Sequence, residues 1–426
     1  MANNGYKERI ADRMLQRRLA GIGAVLVEGP KWCGKTTTAA KHAKTVLYLD
    51  NPSELQQNMR MAEMNPGALL GGTPPVLIDE WQLAPKLWDA VRFEVDQRGQ
   101  PGQFILTGSA VPASSEDVHH SGTGRFAWLT MRPMSLFESG ESSGEVALSR
   151  LFDAPDDVFG VNRLCLEDVA YLICRGGWPY STRLEKDLAL DQVKYYYDGV
   201  VRSDVSRIDG VRRNEELVKR LMRSYARHQG AQASIATIAD DIRAADDKSA
   251  DAKTIAAYLA ALKKIFIIED SAAWNPNLRS KTAIRTSDTR YFVDPSIAVA
   301  ALGIGPNDLM NDLNTMGLLF ETLCIRDLRV FADALDGQVY HFRDKSGLEC
   351  DAVVHLRNGH FGLIEVKLGG DTLIDEGAKT LRSLADKIDT ARMNAPSFLM
   401  VLTAAGKYAY QREDGVYVVP IGCLRD

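Results

Sequence analysis

Ala24-Val25-Leu26-Val27-Glu28-Gly29-Pro30-Lys31-Trp32-Cys33-Gly34-Lys35-Thr36-Thr37-Thr38 is the stretch on which the reading of this chain turns. A short apolar run enters Gly29, four residues intervene, and Gly34-Lys35-Thr36 opens a helix-compatible stretch from Thr37 to His42. Strand, glycine loop and helix in that order form a cradle for a nucleoside triphosphate. Glycine lets the loop turn back so that successive backbone N–H groups point inward, and the following helix N-terminus adds unpaired donors and partial positive charge. Gly29, Pro30, Lys31, Trp32, Cys33, Gly34, Lys35, Thr36 and Thr37 are the expected binding residues. Lys35 is expected to reach the β- and γ-phosphates, and the Thr36 hydroxyl to hold Mg²⁺. The plain alternative is a glycine turn between a buried strand and a buried helix.

Working outward, Pro74-Pro75-Val76-Leu77-Ile78-Asp79-Glu80 is an apolar strand ending in two carboxylates, about 45 residues after the loop. Asp79 is assigned to the magnesium shell and Glu80 to activating the attacking water. An Asp-Glu pair is common on surfaces; its weight here comes from the strand before it and the alternation of strands and helices around it. A further strand, Phe104-Ile105-Leu106-Thr107-Gly108-Ser109, ends in hydroxyls that could sense a γ-phosphate. Thr107 and Ser109 are both candidates, against a capping turn at a strand end. Arg125 follows Ser121-Gly122-Thr123-Gly124 and precedes the strand Phe126–Met131, a placement suited to an arginine finger acting in cis or across a subunit boundary, with a structural ion pair as the alternative. Before the loop, Tyr6–Leu19 has helical spacing, and its basic residues read as a solvated face.

At 426 residues the chain is long enough for two to four domains. Its 45% hydrophobic and 25% charged residues are those of a globular protein, and a net charge of −5 excludes a global nucleic-acid footprint. The six cysteines form no C-x-x-C pair and read as reduced thiols. No apolar run reaches the ~20 residues of a membrane span, and Met1–Arg18 has no apolar core, so a cytoplasmic location without membrane attachment is expected.

Beyond Met131 the composition changes. Glu138-Ser139-Gly140-Glu141-Ser142-Ser143-Gly144-Glu145 reads as a linker, and Arg175-Gly176-Gly177-Trp178-Pro179 as a turn after a helix. Asp191–Val205 reads as a helix whose Tyr195, Tyr196 and Tyr197 suit packing better than base stacking. Helical stretches Leu217–Ala226, Ile235–Ala244 and Asp251–Lys264, followed by apolar runs at Ile265–Glu269 and Arg290–Val293, make a winged-helix candidate. Its wing would offer Arg279, Lys281, Arg285 and Arg290 to phosphates, although the same fold often binds protein.

The last segment holds a second constellation. Glu321 falls on a helix, Asp351 on a strand, and Glu365 and Lys367 on one face of another strand. Two converging carboxylates can hold a divalent metal, and a neighbouring lysine can orient water for phosphodiester attack. A solvated E-x-K face is the alternative.

Taken together these residues resemble the prokaryotic ATP-binding proteins that join an AAA-type ATPase domain to a C-terminal domain of unknown function. The resemblance runs through the loop Gly29–Thr37, Val76–Glu80, Ile105–Ser109, Gly124-Arg125, Arg132-Pro133, Arg175–Pro179, Arg202-Ser203-Asp204, and Glu321 through Lys367. It implies ATP and Mg²⁺ at Lys35, Thr36 and Asp79, and a nuclease-like C-terminal fold, because Glu321, Asp351, Glu365 and Lys367 fall in the order of a PD-(D/E)XK site. Trp32 and Cys33 depart from the small or aliphatic residues commoner at those loop positions.

The expected architecture is α/β: a P-loop NTPase domain (1–138) with a parallel sheet covered on both faces, a linker and helical region (139–212), a winged-helix-like domain (213–300) and a restriction-endonuclease-like α/β domain (301–426). The expected function is a Mg²⁺-dependent ATPase driving the C-terminal module. An ATP-regulated nuclease acting on DNA, with a second divalent metal at Glu321, Asp351, Glu365 and Lys367, and a non-catalytic nucleotide switch that binds DNA or a protein partner, are the competing readings. The sequence assigns no oligomeric state.

Overall fold

The computed structural model describes residues 5–108, 121–153, 157–207, 210–243, 251–276 and 287–426. It divides into two compact units, one of Met1–Pro133 with Arg202–Arg213 and Ala260–Ile267, the other of Met134–Val201, Asn214–Leu259 and Ile268–Asp426.

In the first unit, α1 (Ile10–Gly21) leads into β1 (Ala24–Glu28), followed by α2 (Lys35–His42), β2 (Thr45–Tyr48), α3 (Leu55–Met64), β3 (Val76–Asp79), α4 (Lys86–Arg98), β4 (Phe104–Gly108) and β5 (Phe126–Thr130). The strands form one sheet in the order β2-β3-β4-β1-β5, every pairing parallel. Side chains alternate across the sheet, so each strand feeds two cores. Leu26, Ile78, Phe104 and Leu106 pack with Trp81, Leu87, Trp88 and Val91 on one face. Val25, Val27, Leu77 and Ile105 pack with Leu15 and Leu19 of α1 and Ala39 of α2 on the other. Burial on both faces explains why the strands read as unbroken apolar runs. Each such Leu, Ile or Val contributes about 1.5–3 kcal/mol to burial. The C-terminal ends of β1, β3 and β4 lie side by side, with Val27 opposite Thr107 and Asp79 opposite Thr107 in register.

In the second unit a seven-stranded mixed sheet runs Gly160–Val161, Tyr408–Gln411, Tyr417–Pro420, Phe398–Thr403, Phe361–Lys367, Glu349–Leu356 and Gly337–Arg343, in that spatial order. Its core includes Val353, Phe361, Leu363, Leu381, Val401 and Val418. The helix Leu313–Ala334 is buried along most of its length and carries charge into that interior. Arg326 donates to Asp294 (2.9 Å) and Asp327 (2.7 Å), and Asp327 also accepts from the Leu136 backbone N–H (2.9 Å). Buried ions survive only when paired and hydrogen-bonded in this way.

The polar stretch Glu138–Glu145 is tied down rather than extended. Ser135 and Glu138 cap a short helix reciprocally, Ser142 donates to the Leu424 carbonyl at 2.7 Å, and Glu141 pairs with Arg175 at 2.5 Å. The Arg175–Pro179 turn is explained by packing: a Cβ at Gly177 would fall 2.1 Å from the Met134 carbonyl oxygen. Gly177 N–H and Arg326 both donate to Asp294, and Trp178 Nε1 donates to Ser296 at 3.0 Å.

Helices Glu215–Arg227, Ile235–Arg243 and Ala252–Lys264 appear as expected, but the run Ile265–Glu269 is not a strand. Phe266 turns at φ 60, and what remains of the expected hairpin is two antiparallel bridges, Ile268 with Phe292 and Ser271 with Thr289. Arg279, Lys281 and Arg285 lie outside the described residues. Arg290, expected on the wing surface, is mostly buried and donates to Asp270 at 2.7 Å.

Candidate functional site

The loop between β1 and α2 has its shape because glycine stands at its two bends. At Gly29 (φ 147) a Cβ would lie 2.1 Å from the Met131 carbonyl oxygen, and Gly34 caps α2 at φ 101. Both values are in the region that favours glycine. Trp32 adopts φ 65 at the exposed part of the loop, whereas Cys33 is fully buried and donates through Sγ to the Met131 carbonyl at 3.3 Å. Lys35, 6% exposed, folds back and donates to the Gly29 (2.9 Å) and Pro30 (2.7 Å) carbonyls. Its ammonium is thus held against the loop by two neutral backbone acceptors.

Thr36 Oγ1 donates to Asp79 Oδ1 at 2.8 Å, and buried Thr107 donates to the same oxygen. The structure therefore brings together a hydroxyl from α2, the carboxylate from the end of β3 and a hydroxyl from the end of β4. Two oxygens 2.8 Å apart match the spacing of neighbouring ligands about an ion with ~2.0–2.1 Å bonds in octahedral geometry, and an all-oxygen set suits Mg²⁺. Glu80 follows at φ 56, a left-handed conformation costly for a residue with a Cβ, and its carboxylate accepts from Gln82. A Cβ at Gly108 would fall 2.9 Å from Gln82 Oε1, so Gln82 lies against the end of β4, next to Thr107.

Arg125 is not in this cluster. It donates through Nε to Asp96 at 2.8 Å on an exposed surface of the same unit, with the Thr123 carbonyl as a further acceptor at 3.2 Å. Ser109 lies outside the described residues.

One contributor escaped the sequence reading and another was named there without a role. Arg9, placed there on a solvated face, is 4% exposed and donates to the carbonyls of Cys33 (2.7 Å) and Arg132 (2.8 Å), bracing the loop from beneath. Asp204 accepts from Lys31 at 2.6 Å. Behind α2, Tyr6, Asp12, Thr38 and His42 form one network: Tyr6 donates to Asp12 (2.7 Å) and lies 2.9 Å from the Thr38 hydroxyl, and His42 is 2.6 Å from Asp12. Burial opposes charge on Asp12, but the hydrogen bonds from His42, the Arg9 backbone and Tyr6 prevail and hold its carboxyl below the usual range.

In the second unit Asp351, Glu365 and Lys367 do meet. Lys367 Nζ lies 2.7 Å from Glu365 and 3.7 Å from Asp351, and Asp351 also accepts from the Val366 backbone at 2.7 Å. Glu321 is partly buried, accepts from the Tyr291 hydroxyl, and has its carboxylate against Gly230, whose added Cβ would fall 2.9 Å away. Burial, then the charge of Asp351, pushes Glu321 well above the carboxylate range and raises Glu365 to about 8. Among the described residues no three Asp, Glu, His or Cys side chains form a metal-ligand set. An ammonium, not a gap, stands between the two strand carboxylates, so the arrangement does not fit the second divalent ion expected from the sequence.

The first unit is thus a parallel α/β fold with Thr36, Asp79 and Thr107 gathered at the C-terminal strand ends. Residues 22–139 match the model of an AAA domain. Residues 166–308 and 316–424 match two domains of unknown function, DUF8612 and DUF4143. An uncharacterized protein of Mycobacterium bovis and one of Mycobacterium tuberculosis are each 24% identical over 420 residues, covering 97% of this chain and 83% of the relative. Among solved structures, the Walker-type ATPase PABY2304 of Pyrococcus abyssi aligns with a TM-score of 0.44 at 15% identity, over 70% of this chain and 97% of that one. Among the described residues no helix is long and apolar enough to cross a membrane.

Proposed function

We propose that this protein is a Mg²⁺-dependent ATPase whose nucleotide state is passed to a C-terminal module. The observation that carries the reading is the convergence of Thr36 and Thr107 on Asp79, next to a glycine loop whose lysine folds back onto the loop's own carbonyls. Gly29–Thr37 would cradle the phosphates with backbone donors, and Lys35 would exchange the Gly29 and Pro30 carbonyls for phosphate oxygens. Thr36 and Asp79 would hold Mg²⁺, which when bound supplies charge neutralisation for the phosphates. Glu80 would take a proton from the attacking water, after giving up Gln82, while Thr107 keeps Asp79 oriented. Arg125 would have to leave Asp96 to stabilise charge on the γ-phosphate. Phosphate release from Mg-ATP by the full chain tests this: Glu80→Gln should keep nucleotide binding and lose release, and unaltered release would refute the role.

We take 1–138 as the ATPase domain, 139–212 as a helical connection, 213–300 as a winged-helix-like domain and 301–426 as a restriction-endonuclease-like domain. As a second reading, supported by the meeting of Asp351, Glu365 and Lys367, the last of these acts on DNA under control of ATP. DNA cutting by the full chain, lost in both Asp351→Ala and Lys367→Ala, would sustain it; cutting that survives both would remove it. Binding of DNA or a protein partner by the Glu80→Gln variant, with and without ATP, separates both from a switch that does not hydrolyse.

A further inference from the structure

Arg202-Ser203-Asp204 plays no part in the chemistry above, yet it touches the phosphate loop. The helix Lys186–Gly199 continues into a widened π turn at Val200–Asp204, and Arg202–Arg213 belongs to the same compact unit as the loop. π turns are rare and recur at functional sites. Here the turn delivers Asp204, whose Oδ1 takes the Lys31 ammonium at 2.6 Å. The carboxylate is the fixed partner: its side chain is 15% exposed against 46% for Lys31. Arg213 secures the stretch that follows, through Nη1 to the Val205 carbonyl (2.6 Å) and its backbone N–H to Ser206 Oγ (3.0 Å).

Both lysines of the loop are therefore held by acceptors of the chain itself, Lys35 by two carbonyls and Lys31 by a carboxylate. A triphosphate carries several negative charges and strong acceptor oxygens, so it competes for both ammonium groups. Against Asp204, which carries one charge and faces solvent in part, the triphosphate is the stronger partner.

Resting on the ATP-binding reading, we propose that Asp204 latches the phosphate loop: it holds Lys31 when the site is empty, and a nucleoside triphosphate takes Lys31 and frees the Val200–Arg207 stretch. That stretch is covalently continuous with the helix Lys186–Gly199 before it, and the chain after it enters the helix Glu215–Arg227. Its release is then the chain-borne route by which nucleotide occupancy reaches the residues beyond the ATPase domain. Asp204 is a positioning residue, acting through Lys31.

The test uses the full chain with ATPγS and Mg²⁺, reading affinity by calorimetry and amide hydrogen exchange across residues 200–207. In the wild type, ATPγS should speed exchange in that stretch. Asp204→Asn should show the faster exchange without nucleotide and bind ATPγS about two- to fivefold more tightly, the size expected for losing one partly exposed competing charge. In a Lys31→Met background, Asp204→Asn should leave the affinity unchanged, because the partner it acts through is gone. Lys31→Met alone should also speed exchange without nucleotide, which keeps the idea testable if Asp204→Asn fails to fold. A purely structural ion pair predicts the reverse: weaker binding in Asp204→Asn and exchange in 200–207 that ignores nucleotide. That outcome, in a wild type that binds ATPγS, overturns the latch alone. A wild type that binds no ATPγS overturns the ATP reading and the latch with it.

Discussion

Replacing Arg9 by methionine should weaken the first unit and its nucleotide site together, although the residue lies outside the phosphate-loop motif. The guanidinium is 4% exposed and donates to the Cys33 carbonyl at 2.7 Å and the Arg132 carbonyl at 2.8 Å. Hydrogen bonds to a charged donor are worth about 1.5–3 kcal/mol each, offset by the cost of keeping the charge out of water. Methionine fills most of the stem volume but leaves two carbonyls without these donors, at about 1–3 kcal/mol apiece. A net loss of about 2–4 kcal/mol follows. Because the chain has two compact units and its six tryptophans are divided between them, with Trp178 and Trp274 in the second, the loss should be read from amide hydrogen exchange of β1, β3 and β4 rather than from fluorescence. The Cys33 carbonyl belongs to the loop, so ATPγS affinity should fall about tenfold as the loop loses its brace. A variant within about 0.5 kcal/mol of wild type, with unaltered affinity, would refute the bracing argument.

Other consequences can be checked separately. Thr107→Val removes a buried donor to Asp79 at nearly constant shape, so kcat should drop about tenfold with KM changed less than about twofold, as steady-state kinetics would show. Gly177→Ala puts a methyl 2.1 Å from the Met134 carbonyl and should cost about 3 kcal/mol or more, seen as a lowered denaturation midpoint or loss of folded protein. Glu365 has its pKa raised from 4.5 to about 8 by burial and then by Asp351, so across that window the folded chain binds more protons than the unfolded one. Stability should therefore fall as pH rises from about 4.5 to about 8, and Glu365→Gln should flatten the fall in a pH series of urea melts; a slope unchanged in the variant would clear Glu365 of responsibility.

The parts legible in the sequence are those whose information is local. Gly29 and Gly34 announce a loop because the bends need glycine, and β1, β3 and β4 announce themselves because both faces of the sheet are buried. Thr36 and Asp79, 43 residues apart, could be paired because each stands at a marked end of a strand or helix. Arg9 could not: in sequence it is one basic residue of an amphipathic helix entry, and its acceptors lie 24 and 123 positions away on backbone carbonyls, which carry no sequence signature. Asp204 is 173 positions from Lys31 and is delivered by a π turn, which interrupts the regular helix expected over Asp191–Val205. Buried charge misled in the same way. Arg290 looks like a surface residue of the expected wing until Asp270 is seen beside it. At the second cluster residue order alone suggested a metal site, whereas only the geometry shows Lys367 standing between Asp351 and Glu365.

The most direct measurement of the central claim is calorimetric binding of ATPγS to the full chain with and without Mg²⁺, compared across wild type, Lys35→Ala and Asp79→Asn. If Thr36, Lys35 and Asp79 form the site described, wild type binds and Mg²⁺ tightens the binding, Asp79→Asn binds with little response to Mg²⁺, and Lys35→Ala loses most of its affinity. Wild type that gives no binding, or affinity indifferent to Lys35→Ala, would contradict the account.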